Sequence, residues 1–197
     1  MKAQSKNEYL IDHELMTTKA FANHQIRDNY TFDQNENHGL VTIGRPRSSA
    51  YAIELSLTPR GYLIVTGDIN TVVWSQSYRP IGEAIHQMAT QCVGTAHQRA
   101  RMGSGVEHRD WVWEYALWQA QDKLNDPDLF EYHPGWKKIL DMIKAQDDRD
   151  EILQEIYDLE GEVGWFGMLP SSTFLWGWSA LKCADRLLQE RKRHGHP

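Results

Sequence analysis

Cysteine is scarce in this chain: there are two, Cys92 and Cys183, far apart in sequence. Two distant cysteines exclude a disulfide framework, and a reducing, cytoplasmic setting is the expectation. Long apolar runs are also missing. None approaches the roughly 20 residues of a membrane-spanning helix, so no direct membrane association is expected. The first fifteen residues contain no apolar core of signal-peptide length. Positive charge is not in surplus: 21 Lys and Arg stand against 27 Asp and Glu, a formal net charge of −6. A strongly basic duplex-binding surface is thereby disfavoured, because phosphate binding is largely cation neutralisation.

Nucleotide and hydrolase signatures are absent as well. There is no G-x-x-x-x-G-K-[ST], no G-x-G-x-x-G and no G-x-S-x-G. Nine histidines occur, but none falls in H-E-x-x-H or in a Cys/His spacing that binds zinc. No metal or cofactor is expected.

What the chain does contain is a clear β-meander. Tyr51–Leu57 and Tyr62–Thr66 flank the turn Thr58-Pro59-Arg60-Gly61, and Thr71–Ser75 follows Gly67-Asp68-Ile69-Asn70. Upstream, Asp12–His24 has helical spacing, while Tyr30–Phe32 and Leu40–Ile43 are short strand candidates. Downstream, Arg79-Pro80 opens a helix near Ile81–Cys92 with Ile81, Ile85 and Met88 on one face. Gly94–Gly105 is polar with glycine at both ends and is read as a connection.

The rest is helical. Asp110–Leu124 is apolar on two faces, as expected of a helix central to its bundle. Trp136, Ile139, Leu140 and Ile143 form a second stripe, and Ile152, Ile156, Leu159 and Val163 a third, with Asp148 and Glu151 as a capping pair. Pro170-Ser171-Ser172 starts a last helix carrying Trp176, Ala180, Cys183 and Leu187, ahead of a frayed tail from Arg191. The eight tryptophans supply buried area and also candidate anchors for a partner. The class expected is α+β: a small antiparallel meander packed against helices in residues 1–93, and a Trp-rich, mainly helical region in 106–197, packed together.

Each candidate site has a structural and a functional reading. Gly67 is expected at positive φ with Asp68 bonding turn amides, in preference to Asp68 as an acid, base or ligand. Capping is preferred for His108 and Asp110, and a buried inert thiol for Cys92. An enzyme, if this is one, would assemble its site from Asp68, His86 and His108; no catalytic residue is otherwise assigned. Asp147–Glu162 holds eight carboxylates and one base, Arg149. A solvated helix face is the plain reading; a negative patch that meets a basic partner is the sharper one. In the sharper reading Glu155, Asp158 and Glu162 share one helix face at i, i+3 and i+7, beside Trp165.

Pro46, Ser48-Ser49, the strand Tyr51–Leu57, the turn Pro59-Arg60-Gly61, the step Leu63-Ile64-Val65-Thr66-Gly67-Asp68 and the aromatic-bearing strand Val72-Val73-Trp74 together resemble a family of small phage- and prophage-encoded proteins. The resemblance covers about Pro46–Met88. It differs where the family often has a glycine and this chain has Asn70. The family carries no activity to transfer. The phage-like segment, the aromatic surplus, the acidic helix and the missing catalytic motifs together lead to the expectation of a phage-encoded accessory protein that binds a host protein or protein–nucleic acid complex, an anti-CRISPR-like inhibitor of host defence being one version. The alternatives are a small enzyme and a structural or replication-associated phage protein.

Overall fold

The computed structural model describes residues 1–31, 38–48, 52–68, 71–75, 79–102, 109–164 and 166–194. The protein is α+β. Its elements are α1 (Lys6–Phe21), β1 (Gln25–Thr31), β2 (Gly39–Gly44), β3 (Ile53–Leu57), β4 (Tyr62–Gly67), β5 (Thr71–Ser75), α2 (Ile81–Ala89), α3 (Val93–Arg99), β6 (Ala100–Met102), β7 (Arg109–Trp111), α4 (Trp113–Asn125), a 3-10 turn (Pro127–Tyr132), α5 (His133–Ala145), α6 (Arg149–Glu160), β8 (Met168–Pro170) and α7 (Ser172–Arg193). Contacts divide them into two units, Met1–Asp12 with Arg109–Pro170, and His13–His108 with Ser171–Pro197. Among the described residues no helix is long and apolar enough to cross a membrane.

The sheet unit is built on a six-stranded sheet in the order β1-β2-β3-β4-β5-β6, each neighbour antiparallel. Side chains of period two put one row on one face: Val41 lies opposite Leu55, Leu55 opposite Val65, and Val65 opposite Val72. All four are buried. α7 and α2 cover this face, with Phe174, Trp176, Ile85 and Met88 buried. Two glycines allow the close approach. A Cβ on Gly177 would come within 2.8 Å of Val72 Cγ2, and one on Gly67 within 3.0 Å of both Trp176 and the Ala52 carbonyl oxygen.

Several expectations are corrected in this unit. Gly67 is paired with Ile53 inside β4 and does not have positive φ; its glycine is required by packing. Residues 94–102 of the expected connection are not a plain link: they hold α3 and β6, and β6 extends the sheet by pairing with β5. Residues 103–105 lie outside the described residues. α2 ends at Ala89, so Cys92 is the N-cap residue of α3 and its thiol is exposed rather than buried. α1 starts six residues earlier than its apolar spacing indicated, because Ser5 and Glu8 form a capping box: the Glu8 amide donates to Ser5 Oγ at 3.3 Å and the Ser5 amide to Glu8 at 2.7 Å. α7 continues through Arg191 to Arg193, beyond the expected fraying point.

The helical unit packs α4, α5 and α6 around Ala116, Leu117, Ala120, Trp136, Ile139, Leu140, Ile143, Ile152 and Ile156, with Phe166 closing the cluster. Local chemistry sets the boundaries. Asp148 caps α6 by accepting from the amides of Asp150 and Glu151. Gln146 ends α5 and Gly161 ends α6 in the left-handed region. β7 pairs with β8, which places Asp110 in a strand; α4 starts only at Trp113, so Asp110 does not cap it. His108 and the residues after Asp68 expected to form its turn lie outside the described residues.

Candidate functional surfaces

Charge divides unequally between the two units. The helical unit has 17 Asp and Glu against 8 Lys and Arg, a balance of −9; the sheet unit has 10 against 13, a balance of +3. Within the helical unit, part of the acidity is consumed internally. Lys138 pairs with Glu155 at 2.6 Å and Lys123 with Glu160 at 2.7 Å. Asp148 is committed to capping, and Asp158 accepts from Gln154 at 2.7 Å. Asp147, Glu151, Asp158 and Glu162 are all exposed.

The expected face of Glu155, Asp158 and Glu162 does not form. α6 stops at Glu160, and Gly161 with φ of 78° turns the chain before Glu162, so Glu162 leaves the helix. Glu155 is only partly exposed and tied to Lys138. Asp158 alone of the three remains exposed on α6. Trp165 lies outside the described residues, and none of the seven described tryptophans is fully exposed. Among the described residues the aromatic side chains that are exposed are Phe130, Tyr132 and Tyr157. Phe130 and Tyr132 belong to the 3-10 turn between α4 and α5. Gly135 abuts Leu159, and Lys123 reaches Glu160, so this turn and the carboxyl end of α6 occupy one end of the unit.

In the sheet unit, Asp68 stands exposed at the end of β4, and His86 lies on the outer face of α2. The structure gives His86 a different carboxylate. Its Nδ1 is 3.0 and 3.2 Å from the two oxygens of Asp185 on α7, 99 positions away. Gln189 Nε2 donates to the same Asp185 at 3.3 Å. The side chain of His86 is 53% exposed and that of Asp185 only 15%, so the carboxylate is the more buried member of the pair. Asp185 escaped sequence reasoning because no local pattern links positions on two helices so far apart. A cleft of about 390 Å³ opens beside this pair, lined by Arg79, Gly82, His86, Gln87, Gln189 and Lys192 among others.

A larger cleft of about 620 Å³ lies between α1 and α7, with Phe21 and Cys183 in its wall and the Lys182–Glu14 ion pair at its edge. Burial pushes the Cys183 thiol up from its ordinary range, with a smaller opposing effect from Arg186. A thiol held protonated is a poor nucleophile. Among the described residues no three His, Cys, Asp or Glu side chains come together as metal ligands. Comparison of the chain with protein-family models, curated proteins and solved structures finds no match.

Proposed function

We propose that the protein acts by binding a macromolecular partner with a basic surface, and that the acidic helical unit makes the contact. The observation that supports this most is the balance of −9 on the helical unit, with Asp147, Glu151, Asp158 and Glu162 left exposed after the internal pairs are formed. A one-signed surface accelerates encounter with the opposite sign and disfavours wrong partners. Exposed Phe130 and Tyr132 on the same unit supply apolar area where a contact could be desolvated. Together with the phage-like segment Pro46–Met88, this favours an accessory protein encoded by a phage. Its target would be a host protein that uses Lys and Arg, as nucleic-acid-binding proteins do. Inhibition of a host defence complex is one such role.

The test uses a ten-residue oligoarginine peptide as the probe, measured by calorimetry at low and high salt. Wild-type protein should bind at low salt and lose affinity by roughly tenfold or more as salt rises beyond 0.2 M, because exposed charges are screened over about a Debye length. The combined change Asp147→Lys, Glu151→Lys and Asp158→Lys should abolish binding with little effect on folding. Equal binding by wild type and the triple variant removes the acidic unit from the contact.

A further inference from the structure

The helix α1 turns apolar residues outward and a polar one inward. Thr17 is buried, its hydroxyl donating to the carbonyl oxygens of His13 and Glu14. Ile11, Leu15 and Met16 are 64%, 57% and 63% exposed. A helix that packs only against its own fold keeps its large apolar side chains on the buried side. Of the seven large apolar side chains exposed among the described residues, these three fall within six positions of one continuous helix. An exposed apolar cluster rimmed by charge marks an interaction surface.

This face is ordered along the helix. At i, i+4, i+7 and i+11 it carries Ile11, Leu15, Thr18 and Ala22, all exposed, with Ala22 just past the helix end. The first two are large and form a ridge. The last two are small, and both line the groove of about 620 Å³ between α1 and α7, whose wall includes Phe21 and Cys183. Charge follows the same order. On the flank that carries Met16, Asp12 precedes the midpoint of the face and Lys19 follows it, both exposed. The Lys19 side chain makes no ion pair among the described residues, and Asp12 accepts from Gln4 Nε2 at 2.8 Å through one of its two oxygens.

A ridge and a groove on one helix, with opposite charges at its two ends, complement a copy of themselves running the other way. A twofold axis midway between Met16 and Thr17 sets Ile11 against Ala22 of a second copy and Leu15 against its Thr18, large against small at each step. On the flank, Asp12 falls within one turn of the second copy's Lys19, and Lys19 within one turn of its Asp12. A parallel pair would set each charge against its own kind, and a partner of one sign would be repelled by half of the face. We infer that the exposed face of α1 binds a second copy of this chain, α1 against α1 in antiparallel orientation, with Ile11 and Leu15 of each copy entering the groove of the other. Such a contact uses the same patch on both copies and closes as a dimer. It involves none of the acidic residues assigned to the basic partner, so the two contacts stand or fall separately.

Sedimentation of the whole chain across a concentration series tests this. Wild type should pass from monomer to dimer as concentration rises, and no further. Ile11→Ser with Leu15→Ser should raise the dissociation constant roughly tenfold or more. Asp12→Lys alone and Lys19→Asp alone should each weaken the dimer roughly fivefold, by facing like charges across the axis. The double reversal Asp12→Lys, Lys19→Asp should recover wild-type association, because it exchanges both members of each pair. Circular dichroism reports that each variant is folded. A wild type that stays monomeric overturns the inference; should that monomer co-sediment with phosphatidylglycerol vesicles, the face belongs to a lipid surface. A dimer retained by the two-serine variant overturns the site. Single reversals without effect, or a double reversal that does not recover, overturn the antiparallel arrangement.

Discussion

The indole N–H of Trp74 donates to the carbonyl oxygen of Ala96 at 2.9 Å, and both residues are fully buried. The bond joins the fifth strand of the sheet to α3, a helix within a stretch whose composition reads as a connection. Trp74 also lies opposite Leu63 on one side and Ala100 on the other, so it anchors the far edge of the meander.

Trp74→Phe should therefore destabilise the sheet unit by about 2–4 kcal/mol, from the lost volume and the lost indole hydrogen bond, although the Ala96 carbonyl keeps the Ala100 amide as a donor. Urea denaturation followed by circular dichroism measures it. A loss below about 0.5 kcal/mol would show that α3 is not held by this bond.

Gly67→Val should cost about 1–3 kcal/mol through crowding against Trp176 and the Ala52 carbonyl. The cause can be isolated by a double-mutant cycle with Trp176→Leu. If packing is the reason, the valine should be better tolerated once the indole is gone. An unchanged penalty in the double variant would place the effect in the backbone.

Gly161 and Gly167 separate conformational from steric cost. Both have positive φ, 78° and 66°, but a Cβ on Gly161 meets nothing within 4 Å, whereas one on Gly167 comes within 2.4 Å of the Trp111 ring. Gly161→Ala should lose about 1 kcal/mol. Gly167→Ala should lose more, with a change in tryptophan emission from the displaced Trp111 ring. Equal losses by thermal denaturation would contradict this ordering.

Burial holds His13 below the ordinary imidazole value of 6.5, with a backbone hydrogen bond opposing it. The unfolded chain therefore takes up the proton first. This part of the stability is complete above about pH 6.5 and is lost as pH falls toward the depressed folded value. His13→Gln should flatten the stability curve between pH 7 and pH 5 relative to wild type. Parallel curves, measured by urea midpoints, would show that His13 does not titrate on unfolding.

The sequence by itself determined the elements whose signals are local. The three meander strands show period-two burial, and the turn at Pro59-Arg60-Gly61 needs positive φ only at Gly61. The stripe Trp136, Ile139, Leu140 and Ile143 is buried as its spacing implies, and Asp148 caps α6 as its position implies. Each depends on neighbours within one or two turns. What tertiary structure alone decided depends on distant partners. α7 is assigned to the sheet unit because Gly67 and Gly177 let it approach, and β6 becomes a strand because β5 offers an unpaired edge. His86 acquires Asp185 only because packing the apolar faces of α2 and α7 brings their polar faces together. The supposed acidic face dissolved for a similar reason. Lys138 on α5 took Glu155, and the left-handed Gly161 turned Glu162 away. Periodicity along one helix records which side chains share a face; it does not record which charges a neighbouring helix will neutralise.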